Sequence, residues 1–451
     1  MAGLTVAHKV AIAAMLELCP DDMLRAVAGA VASLPGGKAA ELRIMLADEH
    51  RDRVRRQFVM APLVRMFRAR PDGVEALTVP PAVLARLWKA ASSREPELLS
   101  RLDGDEPSVV VADRICLAAA AVVRDQPGLI WPGADDPARL AALEDLAACL
   151  DLAHLARRGL PSLEVWLKRP DGDQIAELRL LLKDCADIRL DGAPRVLEIL
   201  FSNLDDAVLI LRILTQTSRA VDQENFLSAS ELAGFVDRLI AGVDLRAARI
   251  AAFKPASDMA RVKDVIADLT WCANVLGELD VTLTLNPKSP WGKAVRDGRV
   301  AIAGRLSALL RAADKAVDQA LPMERVQIAG RMTRKAPQLA APIASDTILA
   351  ARSLLRLVGS VRGPASTFGC EADRKVLVEA LTGRLSDYAD QVLRMVNDAE
   401  VPDEARALEM IDFVAQCLEL IAADDAARTV RRRAAVAGRP SEGAEASSRA
   451  A

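Results

Sequence analysis

VEALTGRLSDYADQVLRM, residues 378–395, decides the fold. Its Val378, Leu381, Leu385, Tyr388, Val392 and Met395 recur at intervals of 3, 4, 3, 4 and 3. That rhythm puts all six along one side of a helix, as an a/d seam. After AEVPDEA (399–405) the rhythm resumes with Ala407, Ile411, Val414, Leu418 and Ile421. A connection this short makes the two helices antiparallel neighbours. About three heptads are too few for a long coiled coil, so the seam reads as the core of a bundle, with 290–320 as a further member.

The same spacing extends upstream. In NLDDAVLILRIL, from Asn203, Leu204, Val208 and Leu211 share a face, with Ala207, Ile210 and Leu214 beside it, the stripe of a core-facing helix. VVVADRICLAAAAVV (109–123) reads as a buried helix behind a capping Ser108. It is too short to span a membrane and is broken by Asp113 and Arg114. Ser228 and Glu231 have the spacing of a capping box. Aromatic residues are only 3% of a chain that is 51% hydrophobic, so the core is aliphatic. Strands favour aromatic and β-branched residues, whereas alanine and leucine are strong helix formers. The fold class is all-α. DVTLTLNPKS, from Asp280, is the one alternating stretch, and a lone strand is poorly stable, so it reads as an extended connector.

Proline, glycine and aspartate punctuate the first 290 residues, as in CPDD (19–22), LPGG (34–37), RPDG (70–73), WPGADDP (131–137) and DGAP (191–194). Such clusters end one helix and start the next. The expected organisation is an array of short helices over 1–280, stacked as α-solenoid-like hairpins. A connector at 281–290 and a longer-helix bundle at 291–429 follow. The tail, 430–451, loses its apolar period and gains Gly, Ser and Glu, the composition of disorder. AAELRIMLAD (39–48) is echoed by IAELRLLLKD (175–184), without a regular period.

The net charge of −3 lacks the basic excess of a chain devoted to nucleic acid. Seven scattered cysteines, none in a C-x-x-C pair, fit neither a zinc site nor a disulfide framework. They imply a reducing compartment. TVAHKVAIAAMLELC reads as an amphipathic first helix rather than a signal peptide, since Glu17 interrupts it. The expected location is the cytoplasm.

SLPGGKAA (33–40) resembles part of a phosphate-binding loop, but Ala32 replaces the first glycine and Ala39 the magnesium-binding hydroxyl. The run before it has helical period, so the glycines read as a helix boundary. SPWGKAV (289–295) reads as a helix start with a packed aromatic. His8, His50 and His154 are far apart in sequence and no G-x-S-x-G occurs, so no catalytic residue, metal ligand or cofactor is assigned. The paired aspartates 21–22, 135–136, 205–206 and 424–425 read mainly as helix-start residues.

HRDRVRRQFVMAPLVRMFRAR (50–70) is the one strongly basic stretch. Arg51, Arg55, Arg56, Arg65, Arg68 and Arg70 are its candidate binding residues, with Val54, Phe58, Val59, Leu63 and Phe67 as the apolar side. The plain alternative is a solvated face balanced by acids elsewhere. The functional expectation is a non-enzymatic scaffold or adaptor that receives another protein in a groove between helices, or on this arginine face. Binding of nucleic acid or an anionic surface by the same arginines is the first alternative. An enzyme with an inter-helical pocket is the second, with Glu177, Arg179 and Asp184 as its first residues to inspect.

Overall fold

The computed structural model describes residues 3–104, 106–217, 223–255, 259–329, 332–339, 345–401 and 403–437. Among these the chain is all-α, with 21 α-helices and one two-stranded antiparallel sheet. It divides into two compact units, Met1–Leu239 and Ile240–Ala451. The change of sequence texture near 281 therefore falls inside the second unit.

The first unit opens with α1 (Val6–Leu18), α2 (Asp21–Ala32), α3 (Gly37–Val59), α4 (Pro81–Arg94) and α5 (Val109–Asp125). It continues with α6 (Pro127–Ile130), α7 (Pro137–Asp151), α8 (Ala153–Gly159), α9 (Leu163–Leu167) and α10 (Gly172–Ile188). Then come α11 (Gly192–Asn203), α12 (Ile210–Thr217), α13 (Gln223–Ser228) and the start of α14 (Ala233–Ala252).

Short polar side chains set these boundaries. Ser108 Oγ accepts from Val111 N at 3.4 Å at the start of α5. Asp136 accepts from Ala138 N at 3.4 Å, and Asp206 from Val208 N at 3.1 Å. Asp21 and Asp22 lie in the first turn of α2, where carboxylates favour the helix dipole. SLPGGKAA is the α2–α3 junction. Gly36 there has φ +109°, a conformation that favours glycine. Two expectations are corrected. Ser228 is the last residue of α13, so it forms no capping box with Glu231; Ser230 Oγ instead accepts from Leu232 N at 3.2 Å. The reciprocal box occurs at Asp171 and Gln174, at the start of α10. Asn203 ends α11 rather than starting a helix, yet all six stripe residues from Leu204 to Leu214 are buried. A 3-10 turn at Ala207–Leu209 leads them into α12.

Packing in the first unit is not limited to neighbours in sequence. α5 contacts α3, α4 and α7, and the 3-10 turn Val64–Phe67 contacts α11. A strict stack of repeats makes only nearest-neighbour contacts. Arg157 crosses from α8 to the carbonyls of Phe58 and Val59, at 2.9 and 2.7 Å. The end of α3 is thus tied to residues about a hundred positions later.

The second unit holds the rest of α14, α15 (Met259–Thr282), α16 (Pro290–Ala320), a hairpin of β1 (Met323–Ala329) and β2 (Met332–Pro337), and α17 (Ser345–Ser360). It ends with α18 (Arg362–Thr367), α19 (Glu371–Asn397), α20 (Glu404–Leu420) and α21 (Asp424–Ala437). The seam is as expected: Leu381, Leu385, Tyr388 and Val392 are buried, with Val378 and Met395 half-buried at its ends. Ala407, Ile411, Val414, Leu418 and Ile421 are all buried, and α19 packs on α20. Ser289 Oγ caps α16 by accepting from Gly292 N at 2.9 Å, and Trp291 is buried.

The connector is shorter than 281–290, because α15 continues to Thr282 and α16 starts at Pro290. Extended structure lies instead in the hairpin, with Arg325 opposite Lys335. An isolated hairpin is marginal. This one is anchored by buried Ala336 and by Arg334, which bonds Glu400 at 2.9 Å. The expected disorder from 430 also needs correction. α21 continues to Ala437, because Val430 is buried, Arg431 pairs with Glu419, and Arg433 bonds Asp390 at 2.6 Å. Residues 438–451 lie outside the described residues.

All seven cysteines are free thiols and all but Cys19 are buried. Burial pushes the Cys116 thiol up to about 12, which keeps it protonated and unreactive. No helix among the described residues is long and apolar enough to cross a membrane.

Candidate functional site

The arginine-rich stretch does not form one basic face. Residues 51–59 end α3, 64–67 form a 3-10 turn, and Arg70 lies in the irregular segment beyond. Arg51 is exposed, 3.8 Å from Asp48. Arg55 gives Asp103 two hydrogen bonds, of 2.8 and 2.5 Å. Arg65 bonds Asp205 at 2.7 Å and the Asn203 carbonyl at 3.1 Å. Arg70 is buried, with both carboxylate oxygens of Asp72 at 3.0 and 2.5 Å. Of the six candidates, Arg56 and Arg68 have no ion pair among the described residues. The neighbouring Arg53 is also internal, bonding Glu49, Asp21 and the carbonyls of Leu16 and Cys19. On the apolar side Val59, Leu63 and Phe67 are buried, but Val54 is exposed.

The Arg55 hydrogen bonds hold the Asp103 carboxyl below its ordinary range. Stability from such a pair is complete above the unfolded carboxylate value, near pH 4. It is lost as pH falls through the lower folded value. The pair is partly exposed, so Arg55→Gln is expected to cost about 0.5–1 kcal/mol at neutral pH. In thermal unfolding, the difference from wild type should narrow below about pH 4. A difference independent of pH would contradict this role.

Glu177, Arg179 and Asp184 do not converge. Glu177 accepts from Ser162 Oγ at 3.0 Å, Arg179 donates to the Gln216 carbonyl at 3.0 Å, and Asp184 accepts from Arg158 at 2.5 Å. Each ties α10 to a different segment. The echoed segment on α3 is used similarly. Arg43 donates to the carbonyls of Val31, Ala32 and Leu34 at the end of α2, as Arg179 does at the end of α12. Ile44 and Leu180, at matching positions, are both exposed. Among the described residues no group of three His, Cys, Asp or Glu side chains is placed to hold a metal ion.

One groove among the described residues lies outside the sites expected from sequence. It has a volume of ≈ 750 Å³ and lies between α1, α4, the end of α5 and α6. α4 positions it. Val83, Leu87, Trp88 and Ala91 bury one side of this helix in the core, and Trp88 Nε1 donates to Asp52 at 2.7 Å. The opposite side lines the groove with Ala82, Ala85, Arg86, Lys89, Ala90, Ser93 and Arg94. Ala82, Arg86, Lys89 and Ser93, at intervals of four, three and four, run along the middle of this face, with Ala85 and Ala90 to either side. Ala14 and Glu17 of α1 line the groove from another helix, and Val122, Gln126 and Leu129 complete it. Arg94 pairs with Asp125 at 2.8 Å, while Arg86 and Lys89 have no ion pair among the described residues. Val6 and Val10 precede Ala14 at four-residue spacing and are 79% and 65% exposed. Leu129 is 57% exposed. The sequence signal was present in PAVLARLWKAASSR, where an apolar stripe backs an alanine-and-basic stripe.

Compared with protein-family models, curated proteins and solved structures, the chain matches none.

Proposed function

We propose that this chain is a non-enzymatic helical scaffold of the cytoplasm that binds another protein in the groove between α1, α4, α5 and α6. The observation that carries this reading is the division of α4. One face is locked into the core and the other presents small side chains interleaved with Arg86 and Lys89 to an open groove. Small side chains let a second helix approach closely. The exposed Val6, Val10 and Leu129 add apolar area beside it, and exposed apolar patches mark interaction surfaces when contiguous. The arginine stretch is the weaker surface, because most of its guanidinium groups already have acidic partners within the protein.

Affinity purification of the full chain, compared with its Ala85→Trp variant, tests the reading. The tryptophan fills open groove volume and leaves the buried face of α4 untouched. A specific partner of the wild type is expected to be lost at least about tenfold in the variant, since shape complementarity at an interface core carries its affinity. Equal recovery from a variant with an unchanged melting curve would remove the groove from the account.

A further inference from the structure

We infer that the free side of β1 receives an extended segment of a partner protein as a third strand, with a carboxylate opposite Arg325. This surface lies in the second unit and is independent of the groove reading. Gln338 N donates to the Pro322 carbonyl at 3.0 Å, which makes these two residues a hydrogen-bonded pair of the ladder. Bonded and non-bonded pairs alternate along antiparallel strands. In the observed register Glu324–Ala336 and Val326–Arg334 are therefore bonded pairs, and Met323–Pro337 and Arg325–Lys335 are not. The backbone N–H and C=O groups of Met323 and Arg325 point away from β2 and have no backbone partner among the described residues. Such groups are a template for another strand, and two strands fall short of the three that stand alone. The two edges are not equivalent. The outer edge of β2 includes Pro337, which has no N–H to donate, and β2 also packs on α19. β1 contains no proline, and Met323 to Gln327 are all exposed. The added strand therefore belongs on β1.

Charge identifies the occupant. Arg325 and Lys335 form a non-bonded pair, the kind in which side chains come closest, and like charges so placed repel. Both are exposed, and neither has an ion pair among the described residues. Arg334, on the opposite face, is matched by Glu400. A strand added to β1 places one residue directly opposite Arg325, about 5.5 Å away between Cα atoms. Asp or Glu there offsets the repulsion. On the other face, the residue opposite Val326 is apolar, since such cross-strand pairs stabilise a sheet. A second copy of this chain fits less well. Two-fold pairing of β1 with itself sets Glu324 opposite Glu324 or Arg325 opposite Arg325, or centres on Val326 and crosses the irregularity between Gln327 and Ala329.

Selection of a displayed library of random linear peptides against the full chain tests the inference, with hydrogen exchange over 323–327 as the readout of strand addition. Enriched peptides are expected to carry Asp or Glu next to an apolar residue, to slow exchange over 323–327, and to bind Ala85→Trp as well as wild type. Arg325→Glu/Lys335→Glu changes two exposed side chains and should weaken the best peptide on the order of tenfold. Replacing the peptide's carboxylate by Lys should recover that loss. Arg325→Pro should weaken it comparably, because it removes an outward donor that β2 does not use. N-methylated peptides repeat the backbone test on the unaltered protein: methyl groups on the amides of one edge abolish binding, and those on the other edge leave it intact. A peptide lost on charge reversal yet tolerant of N-methylation at every position would overturn strand addition. One sensitive to N-methylation but indifferent to charge reversal would overturn the carboxylate. A library with no peptide that slows exchange over 323–327 would overturn the whole inference and leave the groove reading untouched. Sedimentation of the chain alone as a dimer that Arg325→Pro dissociates would overturn it in favour of a second copy.

Discussion

Arg70→Ala is expected to destabilise the first unit by about 3–5 kcal/mol, the cost of breaking a buried ion pair from one side. Arg70 is 7% exposed, and its guanidinium holds both oxygens of Asp72 and donates to the Phe201 carbonyl. It also lies over the Phe201 ring, 4.5 Å from the centroid. Asp72 in turn accepts from Val74 N at 3.1 Å and Ala207 N at 2.9 Å. One side chain therefore fastens the RPDG segment to the end of α11 and the approach to α12. Alanine leaves the Asp72 charge poorly solvated and the Phe201 carbonyl without this donor. Lysine also falls short, because an ammonium cannot reproduce the planar two-pronged contact. Denaturant unfolding followed by tryptophan fluorescence reads the effect, with the transitions of the two units analysed separately. The double variant Arg70→Ala/Asp72→Asn should lose less than Arg70→Ala alone, since it removes the unpaired charge. A loss below about 1 kcal/mol in the single variant, the range of a surface pair, would contradict the role given to Arg70.

Gly359→Ala is expected to destabilise the second unit by about 3 kcal/mol, at the upper end of overpacking costs. Gly359 lies in α17 where it passes the end of α20. An added methyl group would fall far inside van der Waals contact with the Leu420 carbonyl and close to Ile421 Cα. These are backbone atoms, so no rotamer change relieves the clash. α17 must shift from α20, and the packing of buried Leu355, Val358 and Ile421 shifts with it. Gly383→Ala supplies the control. Gly383 is exposed within α19, and an added methyl meets nothing within 4 Å. Alanine there should stabilise by about 0.5–1 kcal/mol, the ordinary helix-propensity gain. Opposite signs at the two glycines in thermal unfolding support close backbone packing at Gly359. Two small changes of the same sign would contradict it.

Features written in local spacing were legible before the structure. The seam around Leu385, the Ser108 and Ser289 caps, and the helix boundaries at proline and aspartate all depend on residues within one or two turns. The arginine stretch shows what local reading misses. Its charge is plain in sequence, but its neutralisation depends on Asp103 and Asp205, 48 and 140 residues away from Arg55 and Arg65. The hairpin was missed because MERVQIA and MTRKAP are short and polar, and their pairing and support on α19 are tertiary. The division at 239 left no mark in composition, since it falls within continuous α14. The groove was obscured for another reason. Alanine is abundant throughout, so Ala82, Ala85 and Ala90 stand out only once the opposite face of α4 is seen to be buried.

The most direct measurement places a photoreactive amino acid at Arg86, and separately at the exposed control position Leu180, in the full chain within cells that express it. If the groove receives a partner protein, crosslinks from position 86 join one protein at one segment of its sequence, and position 180 gives none to that protein. Crosslinks from position 86 that scatter over many proteins, or that match those from position 180, would contradict the account.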